Sequence, residues 1–236
     1  MKAIILAGGK GTRLKPYATV FPKPLMPIGD EPIMQIIIRQ LYSQDLKDII
    51  IAIGHLGELI MNFFGDGSKW EVNIEYSRED QPLGTAGMLG LVKDQLSETF
   101  IIINGDTLTT LNYRDLINYH KKGGAISTIA LQKRDSYIDY GTVKLDDAGR
   151  ITDYIEKPTI HHTVSMGVYV CEPEVLKYIE VNKRLDFPDL VKTLIGKKEI
   201  VKGFVFNGYW KDIGRAEDYE KANEEINEIY PKLFDQ

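Results

Sequence analysis

The chain has one cysteine, Cys171, among 236 residues. An internal disulfide framework is therefore excluded, and the usage fits a reducing compartment. Cys171 ends the apolar run Val168-Tyr169-Val170-Cys171, so it is expected in the core. Excess positive charge is also missing: 29 Lys and Arg stand against 34 Asp and Glu, a net charge of −5. That leaves no general basic surface for nucleic acid and no polybasic patch for a membrane. No apolar stretch approaches the length of a membrane span. The N-terminal apolar run is too short for a secretory leader, and no small-residue cleavage site follows it. A cytoplasmic protein with no nucleic-acid or membrane partner is expected. There is no Pro/Gly/Ser linker, low-complexity tract or internal repeat, and no hexapeptide β-helix tail. One domain over residues 1–236 is the expectation.

What is present is enough apolar sequence, 43%, to bury a substantial core. The first half alternates two patterns. Short runs rich in β-branched or aromatic residues predict strands at 2–7, 48–53, 72–76 and 100–104. Between them, Ile33, Ile36, Ile37, Gln40 and Leu41 share one face of a helix opening after Pro32. Leu59, Ile60, Phe63 and Phe64 mark a second helix, and Leu89, Leu91, Val92 and Leu96 a third. Such alternation predicts an α/β fold, a mainly parallel sheet with helices on both faces. Ligands then bind at the carboxyl ends of the strands. The second half reads differently, with strand-like segments at 125–131, 141–145, 151–155, 164–171 and 200–205. Turns such as Asp146-Asp147-Ala148-Gly149 separate them. A mixed or antiparallel extension covering the site is expected, followed by a helix from about Ala216 to Ile229.

The densest signal is the start of the chain. The strand Lys2-Ala3-Ile4-Ile5-Leu6-Ala7 runs into Gly8-Gly9-Lys10-Gly11-Thr12-Arg13-Leu14. A glycine-rich turn after a buried strand frees backbone N–H groups to face an anion. Lys23, clamped in Phe21-Pro22-Lys23-Pro24-Leu25-Met26-Pro27-Ile28, joins Arg13 as a second cation. Two familiar phosphate loops do not fit. The P-loop spacing from Gly8 or Gly9 lands on Arg13 or Leu14, and the dinucleotide fingerprint through Gly9 and Gly11 lands on Leu14. The segment reads as a polyphosphate holder of another kind.

Three further signals accompany it. Phe100-Ile101-Ile102-Ile103-Asn104-Gly105-Asp106 ends a strand on a carboxylate, and Trp210-Lys211-Asp212-Ile213-Gly214 presents another. Magnesium favours one or two carboxylates with phosphate oxygens and water. Asp106 and Asp212 form such a pair if the fold joins them; each alone reads equally as a turn aspartate. In Glu79-Asp80-Gln81-Pro82-Leu83-Gly84-Thr85-Ala86-Gly87, small residues open a helix and leave room for a flat base. A carboxylate only accepts hydrogen bonds, so Glu79 facing a base favours guanine, which offers two adjacent donors. Glu79 reads equally as an exposed loop acid. In Ile151-Thr152-Asp153-Tyr154-Ile155-Glu156-Lys157-Pro158, Glu156 suits sugar hydroxyls and Lys157 a phosphate; the alternative is a surface ion pair. His161 and His162 lack metal-ligand spacing and read as loop residues.

Together these motifs resemble the sugar-1-phosphate nucleotidylyltransferases over nearly the whole chain. The most specific element is G-G-x-G-T-R-L…P-K-P-L, here Gly8 to Leu25. The resemblance implies a Rossmann-like α/β/α fold with an antiparallel sugar-binding extension. The nucleotide-binding half would span about 1–110 and the sugar-binding half about 111–236. It implies transfer of a nucleoside monophosphate from a triphosphate to a sugar 1-phosphate, with pyrophosphate released and Mg2+ as cofactor. Carried over residue by residue, Arg13, Lys23 and Asp106 are catalytic and Asp106 and Asp212 hold the metal. Leu6, Ala7, Gly8, Gly9, Gly11, Thr12, Arg13, Lys23, Glu79, Pro82, Gly84, Thr85, Asn104 and Asp106 bind nucleotide. Tyr140, Gly141, Glu156, Lys157, Ser165 and Gly167 bind the sugar phosphate. Ser165-Met166-Gly167 departs from the family's usual Asn-Ala-Gly, which leaves the sugar open. The Glu79 to Gly87 segment looks like guanylyltransferases for mannose 1-phosphate or heptose 1-phosphate, so GTP is the expected donor. A glucose-1-phosphate enzyme using UTP, dTTP or CTP, an enzyme for a non-sugar phosphate, and a non-catalytic sugar-nucleotide-binding regulator are the alternatives. A homodimer is left open.

Overall fold

The computed structural model describes residues 1–9, 11, 14 and 20–234. The strands are β1 (Lys2–Ala7), β2 (Pro27–Ile28), β3 (Glu31–Pro32), β4 (Asp48–Ile53), β5 (Asn73–Arg78), β6 (Phe100–Asn104), β7 (Thr107–Thr109), β8 (Ser127–Tyr137), β9 (Thr142–Leu145), β10 (Ile151–Ile155), β11 (Thr159–Cys171), β12 (Val201–Phe206) and β13 (Trp210–Asp212). The helices are α1 (Ile33–Ser43), α2 (Gly57–Phe64), α3 (Gly84–Gly87), α4 (Tyr113–Gly123), α5 (Phe187–Gly196) and α6 (Ala216–Ile229).

Seven strands form one sheet in the order β12-β8-β11-β6-β1-β4-β5. β1 pairs parallel with β4 and β6, β4 with β5, and β12 with β8; β11 runs antiparallel between β6 and β8. This is the Rossmann-like, mainly parallel sheet that the alternation predicts. From Ala3 onward β1 carries no polar position, and its packing shows why. Ala3, Ile5 and Ala7 join a core with α1, α2, α4 and α6, while Ile4 joins a second core with α3 and α5. A strand covered on both faces reads as an unbroken apolar run. No helix among the described residues is long and apolar enough to cross a membrane.

Two expectations need correcting. The third helix does not form as one piece: α3 lasts four residues, and short 3-10 turns at Met88–Leu91 and Lys93–Gln95 follow it. Gly90 lies in the first of these turns, close against Val181, whose Cα would be 3.3 Å from an added Cβ. The second half is mixed, as its pattern predicts: β8, β11 and β12 continue the main sheet. Its antiparallel part comprises the ribbon of β8 and β11, where Tyr137 pairs with Thr159, and the β9–β10 hairpin. Finally, His161 and His162 are strand residues of β11, exposed and paired in register with Asp135 and Arg134.

Candidate active site

The site lies at the carboxyl edge of β1, β4, β5 and β6. Gly105 donates its N–H to the Leu6 carbonyl at 2.9 Å, and a Cβ on Gly105 would lie 2.8 Å from that oxygen. Asp106 is thereby set directly beside the glycine turn after β1. Asp212 arrives from the far end of the chain by another route. β13 pairs antiparallel with β7, placing Asp212 opposite Thr107, and Ile213 donates its N–H to the Asp106 carbonyl at 3.0 Å. Lys211 anchors β13 to α6 through Glu225 at 2.6 Å, and the Tyr209 hydroxyl donates to the same carboxylate at 2.8 Å. Burial would raise the Glu225 carboxyl, but Lys211 and Tyr209 overcome it and hold the group below its ordinary value.

Lys23 meets both aspartates. Its 3-10 turn, Lys23–Leu25, begins after Pro22 and includes Pro24, so the stem has little backbone freedom. The ammonium donates to Asp106 Oδ2 and lies 3.7 Å from Asp212 Oδ1. Asp106 Oδ1 and Asn104 Oδ1 are buried with no hydrogen-bond partner among the described residues. An unmatched buried acceptor costs about 1–3 kcal/mol, so such atoms are normally reserved for a ligand or ion. No cluster of three metal-ligating side chains exists among the described residues. Two carboxylates and an unpartnered oxygen nevertheless suit a magnesium ion that draws its other ligands from phosphate and water.

Two cavities meet at Asp106. One, of about 240 Å³, is lined by Leu6, Ala7, Gly9, Gly11, Lys23 and Asp106, with Gly214 beside them. The other, of about 390 Å³, extends past Gly8, Asn104, Glu79, Pro82, Gly84 and Thr85. Glu79 Oε2 accepts from the Leu83 N–H at 2.9 Å, while a Cβ on Gly8 would sit 2.5 Å from Glu79 Oε1. Gly8 is therefore glycine partly to admit this carboxylate. Thr12 and Arg13 lie outside the described residues.

The glycines of the 84–90 segment also admit a distant loop. Gly84 has φ +77°, and Cβ atoms on Gly84 and Gly87 would strike Leu185 O and Lys183 O at 2.7 and 2.6 Å. Their missing side chains make room for the 180–186 loop, and Gly84 and Thr85 line the cavity beside it. That loop is locked by an exchange: Asp186 Oδ1 accepts from the Thr85 N–H at 3.2 Å, and the Thr85 hydroxyl accepts from the Phe187 N–H at 2.8 Å. It brings Arg184 and Asp186 to the larger cavity, where the sequence reading had not placed them. The available signal was Asp186 before Phe187-Pro188, a helix-start pattern.

The expected sugar-phosphate residues do not converge on these cavities. Tyr140, Glu156 and Lys157 are exposed, and a Cβ on Gly141 would collide with Tyr154 and Glu156. The Tyr154 hydroxyl donates to Glu156 at 3.1 Å. Ser165 and Gly167 lie at a bulge, where β11 advances from Ser165 to Tyr169 while β8 retreats only from Leu131 to Ile129. Gly167, with φ +74°, backs onto the Asn104 amide. Ser165 donates to the Tyr169 hydroxyl at 3.3 Å, and the bulge carbonyl of Met166 accepts from Trp210 Nε1 at 3.0 Å. The bulge thus ties β13 to the site.

Comparison with known proteins shows the family and agrees with the fold. Residues 2–229 match the family described as Nucleotidyl transferase. The chain is 33% identical over 231 residues to mannose-1-phosphate guanylyltransferase 1 of Arabidopsis thaliana, covering 93% of this chain and 63% of that protein. It is 34% identical over 245 residues to the UTP–glucose-1-phosphate uridylyltransferase of Synechocystis, covering 94% and 62%. This chain thus spans less than two thirds of these relatives' length. Among solved structures, HddC from Yersinia pseudotuberculosis complexed with GMP-PN superposes with a TM-score of 0.74 at 26% identity, covering 95% of this chain and 99% of that one. With a Rossmann-like sheet, two carboxylates and a lysine gathered at its carboxyl edge, and a family match along nearly its whole length, the chain belongs to the nucleotidyl transferase family.

Proposed function

We propose that the chain transfers a nucleoside monophosphate from a triphosphate, GTP in the first instance, to a sugar 1-phosphate of the mannose or related hexose or heptose type, releasing pyrophosphate. The observation that carries the reading is the meeting of Asp106 and Asp212 on Lys23, beside the glycine turn after β1. An oxygen of the sugar phosphate attacks the α-phosphorus, the bond to pyrophosphate breaks, and no side-chain nucleophile is required. The protein's work is positioning and charge neutralisation. Backbone N–H groups around Gly8, Gly9 and Gly11 face the triphosphate, and Lys23 and Arg13 neutralise it. Asp106 and Asp212 would hold a magnesium ion, which would supply charge compensation at the reacting phosphates. Glu79 and Arg184 flank the cavity for the base and ribose. Lys157 and Glu156, on the exposed extension, serve the sugar phosphate. The buried thiol of Cys171 supports a reducing, cytoplasmic setting.

Uridylyl transfer to glucose 1-phosphate is the second reading, favoured by the Synechocystis relative at 34% identity. Pyrophosphate release from the four triphosphates against a panel of sugar 1-phosphates separates the two. The highest kcat/KM is expected for GTP with mannose 1-phosphate; no turnover with any pair overturns the function.

A further inference from the structure

The Lys23 ammonium occupies the space between the two carboxylates assigned above to the metal. It bonds to Asp106 Oδ2 and stands 3.7 Å from Asp212 Oδ1. It is held there: its side chain is only 11% exposed, and its turn is fixed by Pro22 and Pro24. Two carboxylates this close repel one another in a partly dry site, and a neighbouring cation offsets that repulsion. Yet one ammonium carries a single charge and leaves Asp106 Oδ1 buried with no hydrogen-bond partner among the described residues. A divalent cation would match both charges and that oxygen.

We infer that Lys23 is the resident counter-ion of the Asp106–Asp212 pair and competes with the divalent cation for it. Displaced, its four-carbon stem keeps the ammonium within the cavity lined by Gly9 and Gly11, where a phosphate oxygen can accept from it. Lys23 then has two positions, on the aspartates without the cation and on the nucleotide with it. The inference rests on the metal assignment made under the proposed function.

The test is Mn2+ binding by calorimetry to the full chain without nucleotide, in wild type, Lys23→Met, Lys23→Arg and Asp106→Asn. Removing the ammonium should tighten Mn2+ about tenfold, as expected for loss of one charge competing at contact distance. Lys23→Arg should bind as weakly as wild type, and Asp106→Asn should abolish the site. If Lys23→Met binds no more tightly while an Asp106-dependent site exists, the competition is overturned and the metal assignment stands. If no Asp106-dependent site exists in any variant, both fall. A second readout needs no substitution: the Lys23 side-chain nitrogen resonance of wild type should shift on adding Mg2+. An unchanged resonance at saturating Mg2+ also overturns the inference.

Discussion

Two polar clusters sit at opposite ends of the same sheet, and they are completed differently. At the amino edge of β6 and β8, the buried His120 takes Thr128 at 2.7 Å through Nδ1 and Glu172 at 3.1 Å through Nε2. The Thr99 hydroxyl lies 3.0 Å from both Glu172 oxygens. A carboxylate only accepts, so Nε2 carries the hydrogen and Nδ1 accepts from Thr128, which leaves the neutral ring fully matched. At the carboxyl edge, Asp106 Oδ1 and Asn104 Oδ1 have no hydrogen-bond partner among the described residues. The matched cluster satisfies its own polar groups; the other keeps acceptor oxygens available beside a cavity.

Substitutions should therefore separate the two ends. The largest effect is expected from Asp106→Asn, which should lower pyrophosphate release about 100- to 1,000-fold, as for loss of a charge-stabilising group. Its thermal midpoint should stay near that of wild type, because Asp212 remains beside the Lys23 ammonium to balance its charge. His120→Ala should do the reverse. It should cost about 1–3 kcal/mol in urea denaturation through the unmatched Glu172 and Thr128, with kcat/KM unchanged.

Smaller effects sharpen the contrast. Gly167→Ala combines a positive φ with a contact 2.4 Å from Asn104 Nδ2, and should cost about 1–3 kcal/mol of stability. It should also disturb the site, read as a raised nucleotide KM. Arg184 is 71% exposed at the cavity rim, so Arg184→Met should raise nucleotide KM only about two- to fivefold. The amino edge also has a pH signature. Burial, offset in part by Glu172, holds His120 below its ordinary 6.5, so the unfolded chain binds the proton first as pH falls. Stability should drop as pH falls below about 6.5 toward the depressed folded value, and this part of the loss should vanish in His120→Gln.

Legibility in the sequence follows the same division. β1, β4 and β6 were readable to the residue because strands buried on both faces are unbroken apolar runs, and α6 because its pattern is uninterrupted. Lys23 and Asp106 were readable because prolines and a strand end mark them locally. The broken helix after Gly87 and the arrival of Arg184 were not, because Gly84, Gly87 and Gly90 answer to a loop nearly a hundred positions away. The meeting of Asp106 with Asp212 depends on the β7–β13 pairing, which no local pattern encodes.

That meeting is the central claim, and a double-mutant cycle on pyrophosphate release tests it most directly. If Asp106 and Asp212 act as one unit, Asp106→Asn/Asp212→Asn should be no slower than the worse single variant, since groups acting together are strongly non-additive. Losses that multiply independently, or an Asp212→Asn variant within twofold of wild type, a margin of about 0.4 kcal/mol, would contradict it.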